Sequence, residues 1–131
     1  MFLTNYLKRV HYLQRVDQDS FHDVLFNFKQ ETCDRDTYIF KERELSTGVF
    51  IVKNGIIEIS VKVEGQELAI ERLYRGSVIN HNAFLIHDIC DVSGRCIDTM
   101  TMFYLTYEDM ERIKTRHADL SLDVEMVRKS Y

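Results

Sequence analysis

The chain has 131 residues, 45% of them hydrophobic and 29% charged, with a formal net charge of −4 and no proline. That length is one domain with enough apolar material for a core, which excludes a disordered chain and a disulfide-stapled miniprotein. Mild acidity without a Lys/Arg block excludes nucleic acid or anionic lipid bound through a basic face.

In chain order, Phe2, Leu3, Tyr6, Leu7 and Val10 recur at three- and four-residue steps with Lys8 and Arg9 between. The spacing predicts an amphipathic helix from Phe2 to Leu13, whose apolar face is either core or a contact for a linker or neighbouring subunit. Phe21, Val24, Leu25 and Phe28 at i, i+3, i+4 and i+7 predict a second helix capped by Asp19 or Ser20. From Thr37 the period falls to 2 and the chain reads as β.

Val49-Phe50-Ile51-Val52, then Lys53 and Asn54-Gly55, predicts a type I′ hairpin into Ile57, Ile59, Val61 and Val63, which alternate with Glu58, Ser60 and Lys62. Glu64-Gly65 is a weaker turn into Leu68 and Ile70, so these strands read as an antiparallel meander with one face buried and one wet. Residues 76–91 lose both periods, and Ile97 to Leu105 reads as one strand. Thr106 and Asp109 form a capping box for a helix carrying Met110 and Ile113. Leu120, Leu122, Val124, Met126 and Val127 predict a short terminal helix.

The layout is α+β, an antiparallel β-roll or jelly roll of about eight strands flanked by N-terminal and C-terminal helices. It is a single domain over 1–131: helices over 1–30, a roll over 37–106, and helices over 107–131. The expected core holds Phe50, Ile51, Ile57, Ile59, Val61, Leu68, Ile70 and Leu105. Helix-like sequence at both ends suggests a piece of a larger protein. Cys33, Cys90 and Cys96 have no framework spacing and fit free thiols in the cytoplasm. Apolar runs such as Ala83 to Ile86 fall far short of the roughly 20 residues of a membrane span, and no signal-peptide h-region is present, so no membrane insertion is expected of these residues.

Val10-His11-Tyr12-Leu13, Phe21 to Phe28, Tyr38-Ile39-Phe40-Lys41-Glu42, Val49 to Gly55, Leu73-Tyr74-Arg75-Gly76 and Tyr104-Leu105-Thr106 form an ordered set. That set resembles the cyclic nucleotide-binding domain superfamily. It is most similar to the version in the cytoplasmic tails of voltage-gated and cyclic-nucleotide-gated cation channels. In binding members a cassette beginning Phe-Gly-Glu offers backbone amides to the cyclic phosphate, its Glu holds the ribose 2′-hydroxyl, and a later Arg pairs with the phosphate. Here that stretch, within the cassette region at 76–91, reads Ile79-Asn80-His81-Asn82-Ala83-Phe84-Leu85. The resemblance puts Asn80 in the Gly slot, His81 in the Glu slot and Cys90 in the Arg slot, with Asp91 beside it. Arg95 reaches the phosphate only if residues 88–94 loop differently from the family.

The resemblance therefore implies a non-enzymatic regulatory domain from a cation channel or other transport protein, at the cytoplasmic face of a membrane. Binding of cAMP or cGMP is expected to be weak or absent, no other cofactor is implied, and the full-length protein is expected to form homo-oligomers. The alternative is a functional sensor with an unorthodox pocket, from a channel, kinase regulator or exchange factor. A transcription factor is disfavoured because no helix-turn-helix or basic helix follows the roll. His87 and Cys90 with Cys96 lack the paired spacing of a zinc site. A Cys90 nucleophile with His87 or His81 as base would lack an orienting group and an oxyanion site, so neither metal chemistry nor catalysis is expected.

Overall fold

A computed structural model describes residues 2–8, 17–80 and 88–117. Its elements are α1 (Phe2–Leu7), α2 (Gln18–Asn27), β1 (Lys29–Cys33), β2 (Tyr38–Phe40), β3 (Gly48–Asn54), β4 (Ile57–Val63), β5 (Gln66–Leu73), β6 (Val78–Ile79), β7 (Ser93–Cys96), β8 (Met100–Thr106) and α3 (Tyr107–Arg116). The strands make two four-stranded antiparallel sheets, ordered β1-β8-β3-β6 and β2-β7-β4-β5, with helices at both ends, which is the expected roll. Residues 9–13 of the first predicted helix and the terminal helix over 120–127 lie outside the described residues.

Two apolar clusters share β3. Val49 and Ile51 pack with Leu3, Leu7, Val24, Leu105, Met110 and Ile113 beneath the helices. Phe50 and Val52, on the opposite face, pack with Ile57, Ile59, Ile79, Cys90, Cys96 and Met100 between the sheets. A strand covered on both sides reads as a continuous apolar run, which is why Val49-Phe50-Ile51-Val52 shows no alternation.

That double burial corrects the predicted Asn54-Gly55 hairpin. β3 and β4 belong to different sheets and do not pair, and Gly55 is a corner where the chain crosses between them. Gly55 has φ +102°, and a Cβ there would lie 2.5 Å from the Met100 Cβ, so the position needs glycine as much for close approach as for its dihedral. The true two-residue hairpin is Glu64-Gly65, between Val63 and Gln66. Both turn residues have positive φ, 52° and 81°, as a type I′ turn requires.

The strand read from Ile97 to Leu105 is β8, which begins only at Met100. β7 and β8 lie in different sheets, and residues 97–99 form the corner between them, against the Gly55 corner. The roll begins at Lys29 rather than 37, because β1 is an edge strand whose Lys-Gln-Glu-Thr residues are all exposed. Leu68 and Ile70 are about half exposed, not core. They sit on β5, the free edge of its sheet, and Ile70 occupies a bulge in the β4–β5 ladder. Phe50, Ile51, Ile57, Ile59 and Leu105 are buried as expected, and Val61 packs partly against the inter-sheet cluster.

The helices are anchored locally. Asp17, not Asp19 or Ser20, caps α2, its carboxylate accepting from the Ser20 amide at 2.8 Å. Thr106 caps α3 as predicted, its hydroxyl accepting from the Asp109 amide at 3.1 Å. Met110 and Ile113 point into the helix-side core, and Asp23 of α2 pairs with Arg116 and His117 at the end of α3, each at 2.9 Å. Thr106→Ala should therefore lower stability by about 1 kcal/mol. A thermal melt should show a fall of several degrees, with Thr106→Ser close to the parent.

Candidate ligand-binding site

The candidate cassette lies between β6 and β7. Ile79, fully buried, pairs with Phe50 and anchors the last strand position before it among the inter-sheet residues. Asn80 follows with φ +59°, the left-handed region where glycine is ordinarily placed and asparagine is among the best-tolerated alternatives. Asn80 is 7% exposed, and its side-chain amide Nδ2 has no hydrogen-bond partner among the described residues. His81, Asn82 and Ala83 lie outside the described residues.

At 88–90 the chain is held on the turn between β2 and β3. The Arg43 amide donates to the Cys90 carbonyl, the Cys90 amide to the Glu44 carbonyl, and the Ser46 amide to the Asp88 carbonyl, each at 2.8 Å, with Leu45 and Ile89 bridged. Cys90 is thereby fixed with its thiol 6% exposed, packed in the inter-sheet core, while Asp91 is exposed. The sequence resemblance puts the family's arginine at this buried position.

Arg95 does not approach it from the other side. Cross-strand partners share a face, and the register pairs Ile57 with Cys96 and Ile59 with Gly94 on the buried face of the β2-β7-β4-β5 sheet. Glu58, Arg72, Tyr38 and Arg95 therefore share the outer face. There Arg95 pairs with Asp36 at 2.9 Å and Glu58 at 3.2 Å, and Arg72 lies 3.6 Å from Glu58. Arg95 is thus engaged by two carboxylates on that face.

The same outer face carries a groove of about 610 Å³ that the sequence pattern did not single out, lined by Tyr38, Lys41, Arg43, Lys62, Glu67 and Ser93 among others. Glu67 accepts hydrogen bonds from the Ser60 and Tyr38 hydroxyls at 2.9 Å. These bonds, Ser60's foremost, hold its carboxyl below the usual range, and the Glu67 bond raises the Tyr38 hydroxyl. Arg43 stands at φ +71° and makes no ion pair among the described residues. Only the fold brings these residues together, since the β2–β3 turn and the β4–β5 hairpin are remote in sequence.

Residues 30–117, from β1 through α3, match the cyclic nucleotide-binding domain family. The chain belongs to that family. The similarity to solved structures is one of fold. The regulatory domain of Toxoplasma gondii PKA with cAMP superposes with a TM-score of 0.74 at 15% identity, over 88% of this chain and 45% of that one. A cyclic nucleotide-binding-like protein from Brucella abortus superposes at 0.77 with 12% identity, over 86% and 97%. The N-terminal domain of a Streptomyces coelicolor transcriptional regulator gives 0.73 with 13% identity, over 88% and 81%. This cyclic nucleotide-binding domain thus spans less than half of the Toxoplasma chain and most of the Brucella protein. No curated protein sequence matches it. Among the described residues no helix is long and apolar enough to cross a membrane.

Proposed function

We propose that this domain is a non-enzymatic regulatory module of a cation channel or other membrane transport protein, whose cassette binds cAMP and cGMP weakly or not at all. One observation carries the nucleotide part: Cys90, which the sequence resemblance puts in the arginine slot, is buried, while Arg95 is engaged on the outer face of the sheet. A guanidinium–phosphate pair is a set of charge-assisted hydrogen bonds worth roughly 1.5–3 kcal/mol each, so its loss moves a micromolar site toward millimolar. The exposed Asp91 adds a like charge near an incoming phosphate.

The channel origin rests on the ordered sequence resemblance through Val10–Leu13, Tyr38–Glu42 and Val49–Gly55. In that setting the domain lies at the cytoplasmic face of a membrane in a homo-oligomer and transmits force through contacts near its N-terminus. Leu3 and Leu7 are committed to the internal core, so a linker or neighbouring subunit would meet other surfaces of α1.

A second reading, a sensor with an unorthodox pocket, is favoured by the Asn80 amide. A buried N–H donor without an acceptor costs on the order of 1–3 kcal/mol, and a ligand oxygen at the cassette would satisfy it. Isothermal titration at neutral pH separates the two. Dissociation constants in the millimolar range or no heat for both nucleotides support the first reading, and a micromolar constant for either establishes the second.

A further inference from the structure

We propose that Cys33 and Cys96 form an oxidisable thiol pair that closes to a disulfide between the two sheets of the roll. Cys33 is the last residue of β1 in one sheet, and Cys96 is the last residue of β7 in the other. The backbone clamps Cys96 against the turn that begins immediately after Cys33. The Cys96 amide donates to the Thr37 carbonyl and the Asp36 amide donates to the Cys96 carbonyl, both at 2.9 Å, while the turn itself is closed by the Thr37 amide on the Asp34 carbonyl at 3.2 Å. Both side chains lie in the inter-sheet cluster, close enough for each thiol to act on the other's titration.

Access is one-sided. Cys96 is fully buried, but Cys33, 9% exposed, lines a groove of about 350 Å³ together with Glu31, Thr37, Tyr38, Phe50 and Tyr104. An oxidant of the disulfide class would enter by that groove. The Cys33 thiolate attacks one sulfur of glutathione disulfide, giving a Cys33–glutathione mixed disulfide and one glutathione. The Cys96 thiolate then attacks the Cys33 sulfur, forming the Cys33–Cys96 bond and releasing the second glutathione. The protein loses two protons and two electrons, and the oxidant gains them. Burial pushes both thiols up, Cys96 to about 11, so the resting pair is protonated and stays reduced until an oxidant is present.

The bond would tie β1 to the strand that follows the cassette region, fixing the distance between the sheets. Treating the whole chain with glutathione disulfide at about pH 8.5, near the ordinary thiol pKa, should give a product lighter by two hydrogens, with the peptides of Cys33 and Cys96 joined in a non-reducing digest. The melting midpoint should rise by about 10 °C, as expected for a crosslink closing a long loop, and dithiothreitol should reverse the shift. Cys90→Ser should leave this response intact and Cys33→Ser should abolish it. A stable glutathione adduct on Cys33, a bond to Cys90, or an unchanged melting midpoint after complete reaction would each overturn the proposal. The wild-type chain alone decides this, whether or not the variants fold.

Discussion

Leu105→Ala is expected to destabilise the domain by about 2–5 kcal/mol, against a total stability of about 5–15 kcal/mol for a domain of ordinary stability. Leu105 is fully buried beneath the helices, paired with Val49 across the β3–β8 ladder and packed in the cluster containing Leu7, Met110 and Ile113. Truncation leaves a cavity walled by three elements, and a strand in the middle of a sheet has little freedom to collapse into it. Gly48→Ala should be comparably damaging by the opposite mechanism. A Cβ at Gly48 would run into the Leu105 backbone carbonyl, and backbone in the same ladder cannot give way as a side chain can. Leu68→Ala is the comparison: half exposed on the free edge of β5, it should cost well under 1 kcal/mol. Urea unfolding of the three variants tests this arrangement of the core. Equal losses for Leu68→Ala and Leu105→Ala would show that β5 is buried and the sheet order is wrong.

The contrast between those two leucines also marks what local pattern could reveal. Period-2 alternation identified both stretches as β, and Thr106 with Asp109 identified the start of α3 from side-chain chemistry confined to one turn. Whether an apolar strand residue is covered depends on what lies across from it, a fact about residues remote in sequence. The Asn54-Gly55 pair illustrates the same gap. The local dipeptide specifies a positive φ and a tight bend, but not whether the chain returns beside itself or crosses to another sheet. The unbroken Val49-Phe50-Ile51-Val52 run was the available signal that β3 has two buried faces. β1 gave no signal, because an edge strand of Lys, Gln, Glu and Thr has no apolar face to alternate. At the candidate site, strand parity was informative. Arg95 lies between Gly94 and the apolar Cys96, so if Cys96 faces the core, Arg95 must face out, as it does. The left-handed backbone at Asn80 was implicit in its alignment with the family's glycine, whereas its unpartnered amide required the surrounding fold.

Restoring the family residues at the cassette is expected to restore nucleotide binding. His81→Glu with Cys90→Arg should raise affinity for cAMP or cGMP by one to two orders of magnitude or more, because one carboxylate and one guanidinium each supply charge-assisted bonds worth roughly 1.5–3 kcal/mol. The structure adds a condition to this outcome. Cys90 is packed in the inter-sheet core, so an arginine there must extend from a buried backbone toward the cassette, and without an anion to meet it the charge is costly. The double variant should therefore melt below the parent without ligand and recover on adding nucleotide, since a ligand that binds only the folded state stabilises it by mass action. His81→Glu alone, which places no charge at the buried Cys90 position, separates failure to fold from failure to bind. It should give a smaller gain in calorimetric titration. A double variant that folds and still gives no heat with either nucleotide would show that residues 88–95 do not align without a gap to the family's phosphate arginine, and that Cys90 occupies a core position of another kind. A gain confined to the double variant, with the parent silent, would establish that this domain lacks only the polar contacts and keeps the cradle that once received them.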